Sequence, residues 1–354
     1  MGLDRLPLAR SGARARRAPV STPVVRTSEA LGTDELQELC AGYPFGDYRR
    51  YRSIEPQREH AHFVERVRQL CARDDVRRLV ACDPDGAPAG LLLLQHLDDD
   101  SRLFGLRMAG IPIALARADH PNPRAVQRAL LAGLSSLVER ERVLHVSFRV
   151  DTADLAAYQE FTDAGFRLVE TLVTLTHDTE RRGRGVVLPA EHGFEGVLRA
   201  AEPRDLPAIE ELSARAFTLN RYHLDEHLPR RDAGRLMARW ARNYLELSLA
   251  PERDAQVWVA ETSAGRLAGF LGHRLERELE RHTGVLVSGR ALLAVADPRS
   301  GVGRMLSQHH VWTSSGAYKD ADTQLNNYGM IKVAFDLDME LVRTKYTFHR
   351  WYGG

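Results

Sequence analysis

The sequence predicts an α/β protein made of two tandem domains of the same build, each a mixed central sheet flanked by helices. A chain of 354 residues, 44% of them hydrophobic, is long enough to form two cores. Strand-like and helix-like segments follow one another twice in the same order. Similar residues also recur after a shift of 173 positions, which indicates an internal repeat. The matching pairs are Leu168 with Leu341, Val169 with Val342, Thr171 with Thr344 and Thr174 with Thr347.

Composition narrows the class of partner. The formal net charge is +1, so no overall field favours nucleic acid or an anionic membrane. The three cysteines have no metal-ligand spacing and provide no disulfide framework, so we predict no metal site and a reducing cytoplasm. No apolar run approaches the roughly 20 residues of a membrane span. We therefore expect a cytoplasmic protein whose partners are neither nucleic acid nor membrane.

Residues 1–25 are rich in arginine, nearly free of acidic residues and without the apolar core of a secretory signal. They predict a disordered tail, and a contact with RNA or with an acidic carrier protein is the alternative. Residues 26–179 form the predicted first domain. Its helices are expected at 34–39, 56–73, 123–139 and 155–163, and its strands at 76–82, 89–96, 107–116, 143–150 and 167–176.

The first domain lacks a phosphate-binding turn at the point where its order of elements would place one. Residues 116–123 contain no glycine, and their two prolines remove backbone N–H groups. We expect this domain to pack, to close the substrate cleft and to support the second domain. Residues 180–193 are charged and contain glycine and proline, which is typical of a linker.

The second domain covers residues 194–354 and contains a strand, a glycine turn and a helix in succession. The apolar strand at 292–295 is followed by Gly301 and Gly303, and helical spacing begins at Val302. This build directs backbone N–H groups and a helix N-terminus at an anion, usually a phosphate. A second short strand at 323–325 then leads into another helix.

Residues 200–351 resemble the GNAT acyltransferase superfamily. The end of the chain is similar to the TDP-fucosamine acetyltransferase branch, which has a T-Q-x-N-N strand and a final T-x-H-R-W strand. The matching residues are Thr323, Gln324, Asn326, Asn327, Thr347, His349, Arg350 and Trp351.

The resemblance implies an N-acyltransferase that moves an acyl group from acetyl-CoA or another acyl-CoA to an amine of a small metabolite. An amino sugar or a natural-product intermediate is the expected kind of acceptor. It also implies that Asn327 contacts the pantetheine and the leaving sulfur. The other cofactor-binding residues it implies are Ala294, Val295 and Ala296 on the central strand, Gly301, Val302, Gly303 and Arg304 at the pyrophosphate, and Arg299 for added charge.

Two departures from the family pattern concern the cofactor. Arg299 lies two residues before Gly301 where the family has three, so the turn is short. Ala334 occupies the position of the family's catalytic tyrosine. Tyr346, Tyr328 or His349 is then the candidate proton donor to the thiolate, and Tyr346 is our choice. A CoA thiol can also leave without a dedicated acid.

The acceptor and the proton acceptor complete the predicted site. Residues 217–225 resemble a family segment over the acceptor cleft, and a surface loop is the alternative. An amine attacks a thioester only when its lone pair is free, so the site needs a base. Five side chains are candidates for this base, and the sequence does not rank them: Glu276, Glu278, Glu280, His223 and His273. We carry Glu278 and His223 forward as our choices. The predicted acceptor-binding residues are Asn220, Arg221, Tyr222, His223 and Asp225.

Two other functions stay open from sequence. In the first, the acyl donor is an acyl carrier protein or an aminoacyl-tRNA instead of acyl-CoA. Fem-type peptidyl ligases, which use such a donor, also pair two GNAT-like domains. Alternatively, loss of the tyrosine marks an inactive binding protein.

Overall fold

The computed structural model describes residues 23–27 and 31–353, so residues 1–22 of the predicted tail lie outside it. In chain order, the strands are β1 Val24–Thr27, β2 Val76–Cys82, β3 Pro88–His96, β4 Met108–Ala116, β5 His145–Asp151, β6 Arg167–Asp178, β7 Gly196–Ala200, β8 Ala255–Thr262, β9 Leu267–Leu275, β10 Val287–Val295, β11 Tyr318–Gln324 and β12 Glu340–Trp351. The helices are α1 Thr33–Cys40, α2 Pro56–Cys71, α3 Asp98–Phe104, α4 Pro123–Glu141, α5 Leu155–Asp163, α6 Thr179–Arg182, α7 Leu206–Ala216, α8 Arg221–Leu224, α9 Arg230–Leu249, α10 Arg277–Thr283, α11 Val302–Thr313 and α12 Tyr328–Asp336.

Helix α4 shows how local sequence fixes an element. Pro123 occupies its first turn, where a missing N–H costs nothing, and the side chain of Asn122 accepts from the Ala125 N–H at 3.1 Å. Arg142 ends the helix in the left-handed region. Its buried face carries Val126, Leu130, Leu131, Leu134, Leu137 and Val138.

The twelve described strands form one sheet in the order β1-β2-β3-β4-β5-β12-β6-β11-β10-β9-β8-β7. This order is symmetric about its centre. Strands β1 to β5 of the first half occupy the same places, counted from one edge, as β7 to β11 of the second half counted from the other edge. The last strand of each half is exchanged: β6 pairs with β11, and β12 pairs with β5. The predicted α/β class and the mixed sheet are confirmed, and the two sheets are joined into one.

The exchange makes each core depend on both halves. Phe348 of β12 is buried in the cluster that contains Phe148 and Phe161 of the first half. Val173 and Leu175 of β6 are buried in the cluster that contains Val311 and other residues of the second half. The sequence boundaries 26–179 and 194–354 stay a prediction, and a cut at the linker would separate each half from one strand of its core.

The predicted linker is mostly irregular. It contains the end of the single-turn helix α6 and a 3₁₀ turn at Pro189–His192. Arg181 and Arg182 both pair with Glu340, at 2.8 and 2.9 Å, and therefore fasten the linker to β12. In the described part of the chain, no helix is both long and apolar enough to cross a bilayer.

Candidate acyl-donor and acceptor site

Parallel strands β10 and β11 part soon after they begin. They pair only at Val287 with Tyr318 and at Ser288 with Lys319. A bulge in β10 follows directly, where Arg290 has a left-handed φ of 53° and the register with β9 shifts. A bulge bends its strand, which accounts for the divergence.

The parted strands leave an open wedge, a cavity of about 230 Å³. Its walls come from 291–293 of β10 and 321–324 of β11, with α11 and α12 behind them. The outer edge of β10 pairs with β9, and the outer edge of β11 pairs with β6. Within the described chain, the backbone groups that face the wedge therefore have no strand partner and are free to pair with an extended ligand.

The glycine turn presents free N–H groups at the end of this wedge. Gly301 has φ 78°, a conformation that strains any other residue, and it caps α11. Met305 is the first residue whose N–H bonds into the helix, to the Gly301 carbonyl at 3.1 Å. Of the three preceding amides, the Val302 N–H donates to Ser300 Oγ at 3.4 Å, whereas those of Gly303 and Arg304 have no acceptor among the described residues. An ideal Cβ at Gly303 would lie 3.7 Å from Val295, so this first turn lies against the end of β10.

Asn327 lies on the opposite wall of the wedge. Its amide nitrogen donates to Thr323 Oγ1 at 2.9 Å, and its side-chain oxygen caps α12 by accepting from the Met330 N–H at 3.4 Å. These two bonds fix the side chain on the wall of the wedge. The contact itself stays a prediction.

Two further cavities continue from the wedge across the centre of the sheet. The first, of about 890 Å³, is lined by both halves of the chain, including Arg149 and Glu170 of the first half. The second, of about 390 Å³, continues toward Asp47 and Lys345. Asp322 of β11 is the one residue of the described chain that lines all three cavities. A molecule in the larger cavity can therefore reach the wedge beside this carboxylate.

A second carboxylate lies two residues away on the same face of β11. Asp320 is 4% exposed and lines the 390 Å³ cavity. Tyr51 Oη donates to its Oδ2 at 2.7 Å, and no described residue bonds its Oδ1. Burial raises the pKa of Asp320 from 3.8 to about 7, so it exchanges a proton near neutral pH. Sequence reasoning missed both aspartates, although acids at alternate positions of one strand were a usable signal.

No family model and no curated protein matches this chain. Solved structures do. A tandem GNAT protein from the clavulanic acid biosynthesis pathway, solved without AcCoA, is 16% identical with a TM-score of 0.55, and the match covers 91% of this chain and 95% of that one. A GCN5-related N-acetyltransferase from Sphaerobacter thermophilus is 13% identical over 93% of this chain and 95% of its own, with a TM-score of 0.55.

This chain has the tandem GNAT fold. A third neighbour is the GCN5-related glucosamine N-acetyltransferase region of a fungal multi-domain GH3 β-N-acetylglucosaminidase, at 12% identity and a TM-score of 0.60. It covers 94% of this chain, which matches 38% of that longer chain. The predicted superfamily fold and its tandem arrangement are confirmed, and the TDP-fucosamine branch stays a prediction.

The predicted cofactor residues differ in whether their positions in the fold leave them free to contact a cofactor. Gly301, Val302 and Gly303 provide the turn that opens α11. Ala294 and Val295 lie on the parted part of β10, where Ala294 is buried. Ala294 and Val295 follow the stretch 291–293 that lines the wedge, and the Val302 N–H donates to Ser300 Oγ. The predicted cofactor contacts stay a prediction.

The N–H of Ala296 does not match its predicted role. It donates to the Ala268 carbonyl at 2.8 Å and is not free for a thioester oxygen. The two arginines differ as well. Arg304 pairs with Asp336 at 2.6 Å, while Arg299 lies exposed in the loop.

The predicted proton donors do not gather at the wedge. Strand β12 enters the first half, so Tyr346 pairs with Val150 and its ring lies 5.2 Å from that of Tyr158. Tyr328 is 77% exposed at the start of α12. The exchange of β12 is the reason for the displacement of Tyr346, and no local pattern signals it.

His349 is engaged in a buried network instead. Asp225 Oδ2 accepts from His349 Nδ1 at 2.6 Å and from Trp351 Nε1 at 3.0 Å. Burial acts to raise the pKa of Asp225, but the hydrogen bonds from His349, the His227 backbone and Trp351 hold it well below its usual range. Asp225 therefore secures the end of β12 and has no group left for an acceptor.

The predicted bases also lie apart from one another. Glu278 is on α10, which packs against α2, and its charge acts on His62 of that helix. His223 lies on α8 beside Asn220, where burial, followed by the charge of Arg230, lowers its pKa. Neither Glu278 nor His223 lines the wedge or the two cavities that continue from it.

The other three predicted bases are occupied or enclosed. Glu276 pairs with Arg290 at 2.8 Å, and Glu280 pairs with Arg277 at 2.9 Å. His273 is fully buried, and burial lowers its pKa well below 6.5.

Part of the predicted acceptor segment does reach the cavities. Asn220, Arg221 and Tyr222 line the 890 Å³ cavity. Tyr222 is fixed there because its hydroxyl donates to Asp100 Oδ2 at 2.7 Å. Asn220 caps α8 through the Tyr222 N–H at 3.0 Å.

Proposed function

We propose that the second half of the chain binds an acyl-CoA and transfers its acyl group to an amine of a small molecule. The observation that carries this proposal is the parting of β10 and β11, together with the free amides of Gly303 and Arg304 at the start of α11. A pantetheine arm suits the wedge because its amides can pair with the unpartnered strand edges. The pyrophosphate suits the glycine turn because a helix N-terminus favours an anion.

In the proposed reaction, the acyl thioester lies in the wedge and the amine enters from the 890 Å³ cavity. The amine nitrogen attacks the thioester carbonyl carbon, a C–N bond forms, and the C–S bond breaks to release the thiolate, which takes up the proton that the nitrogen loses as it becomes an amide. The amine arrives as an ammonium ion and must lose a proton before it attacks. Asp322 is our candidate acceptor for that proton because it lines both the wedge and the acceptor cavity. Asp320 is the next carboxylate along the strand and can receive the proton in turn.

The thiolate side has no tyrosine on the wedge at the family position, since Ala334 is fully buried in the core. Asn327, whose Nδ2 donates to Thr323, lies on the wall of the wedge near the proposed path of the sulfur. We propose that the thiolate leaves without a dedicated acid and that Asn327 positions the pantetheine. The acceptor is proposed to be an amino sugar or another small natural-product amine, as in the glucosamine N-acetyltransferase region of the fungal neighbour.

The cofactor proposal is tested by removing one N–H from the glycine turn. Gly303→Pro keeps a backbone angle that the first helical turn accepts and deletes the N–H. Gly303→Ala is the matched control, since the added Cβ has 3.7 Å of space beside Val295. A hydrogen bond to a charged group contributes about 1.5–3 kcal/mol, so we expect CoA to bind about 10- to 100-fold more weakly to the proline variant. Calorimetry with CoA measures both variants, and the alanine variant should stay within about threefold of the unchanged chain.

Three results would contradict the proposal or redirect it. CoA that fails to bind the unchanged chain, or binds the two variants equally, rejects the cofactor site. Acylation from an acyl carrier protein or an aminoacyl-tRNA, without any from acyl-CoA, identifies the other donor class. CoA binding without acetylation of any amine indicates an inactive binding protein.

A further inference from the structure

We propose that the acceptor carries an anionic group, a carboxylate or a phosphate, and that Arg221 and Arg274 bind it in the 890 Å³ cavity. This inference rests on the proposed function, because it takes that cavity as the entry of the amine. It adds the chemical class of the acceptor, which the wedge alone does not specify.

The position of the cavity places the two ends of such an acceptor. The amine end must lie where the cavity meets the wedge, and Asp322 is the carboxylate among the residues that the two share, which are Asn220, Trp240, Ala291, Leu292, Asp322 and Gln324. Arg221 and Arg274 line the same cavity but not the wedge. An acceptor that spans from Asp322 to the two arginines therefore has a cationic end at a carboxylate and an anionic end at two guanidinium groups.

The ion pairs of the cavity leave these two arginines without carboxylates. Of the four guanidinium groups that line it, Arg149 pairs with Glu170 at 3.1 Å and Arg290 pairs with Glu276 at 2.8 Å. Among the described residues, neither Arg221 nor Arg274 has a carboxylate within 4.0 Å. Arg221 donates only to the Tyr222 hydroxyl, at 2.6 Å.

An unpaired guanidinium in a partly buried cavity is a ready anion site. Burial acts to lower the pKa of Arg221, but Tyr222 and the charges of Glu170 and Asp100 raise it, and neither carboxylate lies within 4.0 Å of the guanidinium. A carboxylate or phosphate ligand would provide the two parallel hydrogen bonds that these distant carboxylates do not. The charge of Arg221 also acts on Arg149, whose pKa is lowered first by burial and then by this charge. Arginine is also the residue best suited to bidentate recognition of these anions.

The arrangement also gives the first half a part in recognition. Arg149 and Glu170 come from β5 and β6, and Gln324 of β11 donates to Glu170 Oε2 at 3.2 Å. The three residues line the cavity together with residues of α9 such as Trp240 and Tyr244. A half without a phosphate turn thus contributes to the acceptor site.

The experiment uses two matched pairs of amines and the full chain. One pair is phenylalanine and phenylalaninamide, which differ in the carboxylate, and the other is glucosamine 6-phosphate and glucosamine, which differ in the phosphate. Binding is measured by calorimetry with saturating CoA, so that no turnover is needed. We expect the anionic member of one pair to bind at least about tenfold more tightly, and the pair that responds identifies the anion as carboxylate or phosphate.

Variants then assign the preference to the two arginines. Arg221→Gln with Arg274→Gln should reduce it below about threefold while CoA still binds as in the unchanged chain. Arg266→Gln, at the exposed tip of the β8–β9 hairpin, is the control and should leave the preference unchanged. The inference is overturned if neither pair shows a preference, or if the preference survives in the double variant. A chain that binds no CoA rejects the proposed function separately, and the amines are then measured without CoA against the same criteria.

Discussion

At the scale of single residues, the cavities at the centre of the sheet contain charged groups whose surroundings change their pKa. Asp320 is the clearest case, because burial raises its pKa from 3.8 to about 7. Its proton is therefore retained in the folded protein over a pH range in which the unfolded chain has lost it. A buried acid with this property lowers stability as the pH rises.

The replacement Asp320→Asn tests this effect. Below about pH 4 both states carry the proton, so the variant and the unchanged chain should have similar free energies of unfolding. From about pH 4 to about pH 7 the unfolded state binds fewer protons than the folded state, and the unchanged chain loses stability. At pH 8 we expect the variant to be more stable by on the order of a few kcal/mol. Urea unfolding at both pH values measures the difference.

Asp74→Asn, at an exposed position, is the control for this series and should change neither value. An Asp320→Asn variant that is no more stable at pH 8 than at pH 4, relative to the unchanged chain, would show that Asp320 ionises normally. The position would then not serve as a proton acceptor near neutral pH.

At the scale of elements, local patterns located helices α1, α2, α4 and α5 of the first half but missed the first five residues of the polar strand β11. The predicted helix 123–139 corresponds to α4 Pro123–Glu141, because capping and apolar spacing act locally. Strand β11 begins at Tyr318, five residues before the predicted 323–325. Lys319, Asp320 and Asp322 of this strand are polar, and a polar segment does not indicate a buried strand. Their polarity is explained by their surroundings, because Lys319 bonds to Thr179 and the two aspartates line a cavity. Strand β12 was located, but the half in which it lies was not.

Shortening one side chain of β12 tests its place in the first half. Phe348 is 1% exposed and packs in the cluster of Phe148 and Phe161. Phe348→Ala should lower the free energy of unfolding by about 3–5 kcal/mol, because it removes a buried ring and leaves a cavity. Amide exchange should increase in β5 and α5 more than in β10.

A matched control lies on α12. Phe335 is 54% exposed, so Phe335→Ala should change stability by less than about 0.5 kcal/mol. Loss of protection confined to the second half after Phe348→Ala would contradict the exchanged arrangement.

At the scale of the whole molecule, the two halves complete one another. Strand β12 forms nine residue pairs with β6 and seven with β5. Strand β11 forms seven pairs with β6. Arg149, Glu170 and Leu172 of the first half line the 890 Å³ cavity together with residues of the second half, so this cavity cannot be assigned to one half.

Expression of residues 194–354 alone tests this dependence. The fragment lacks β6, so one edge of β11 and both edges of β12 lose their partners from the first half. Unpaired edges favour association, and we expect an aggregate or a strand-exchanged dimer instead of a folded monomer. Light scattering and circular dichroism decide it, with the full chain as reference. A folded monomer with the full chain's melting temperature would show that the second half is an independent domain.

The sequence by itself determined the α/β class, the repeat, the glycine turn and the wedge strand that precedes it. These features depend on the spacing of residues within short segments, so they can be read from the sequence without knowledge of the tertiary contacts. Tertiary structure decided which half receives β6 and β12, and with that the position of Tyr346 and the 890 Å³ cavity lined by both halves. Two strands of similar pattern can each complete either sheet, and only the packing of the whole chain selects one pairing.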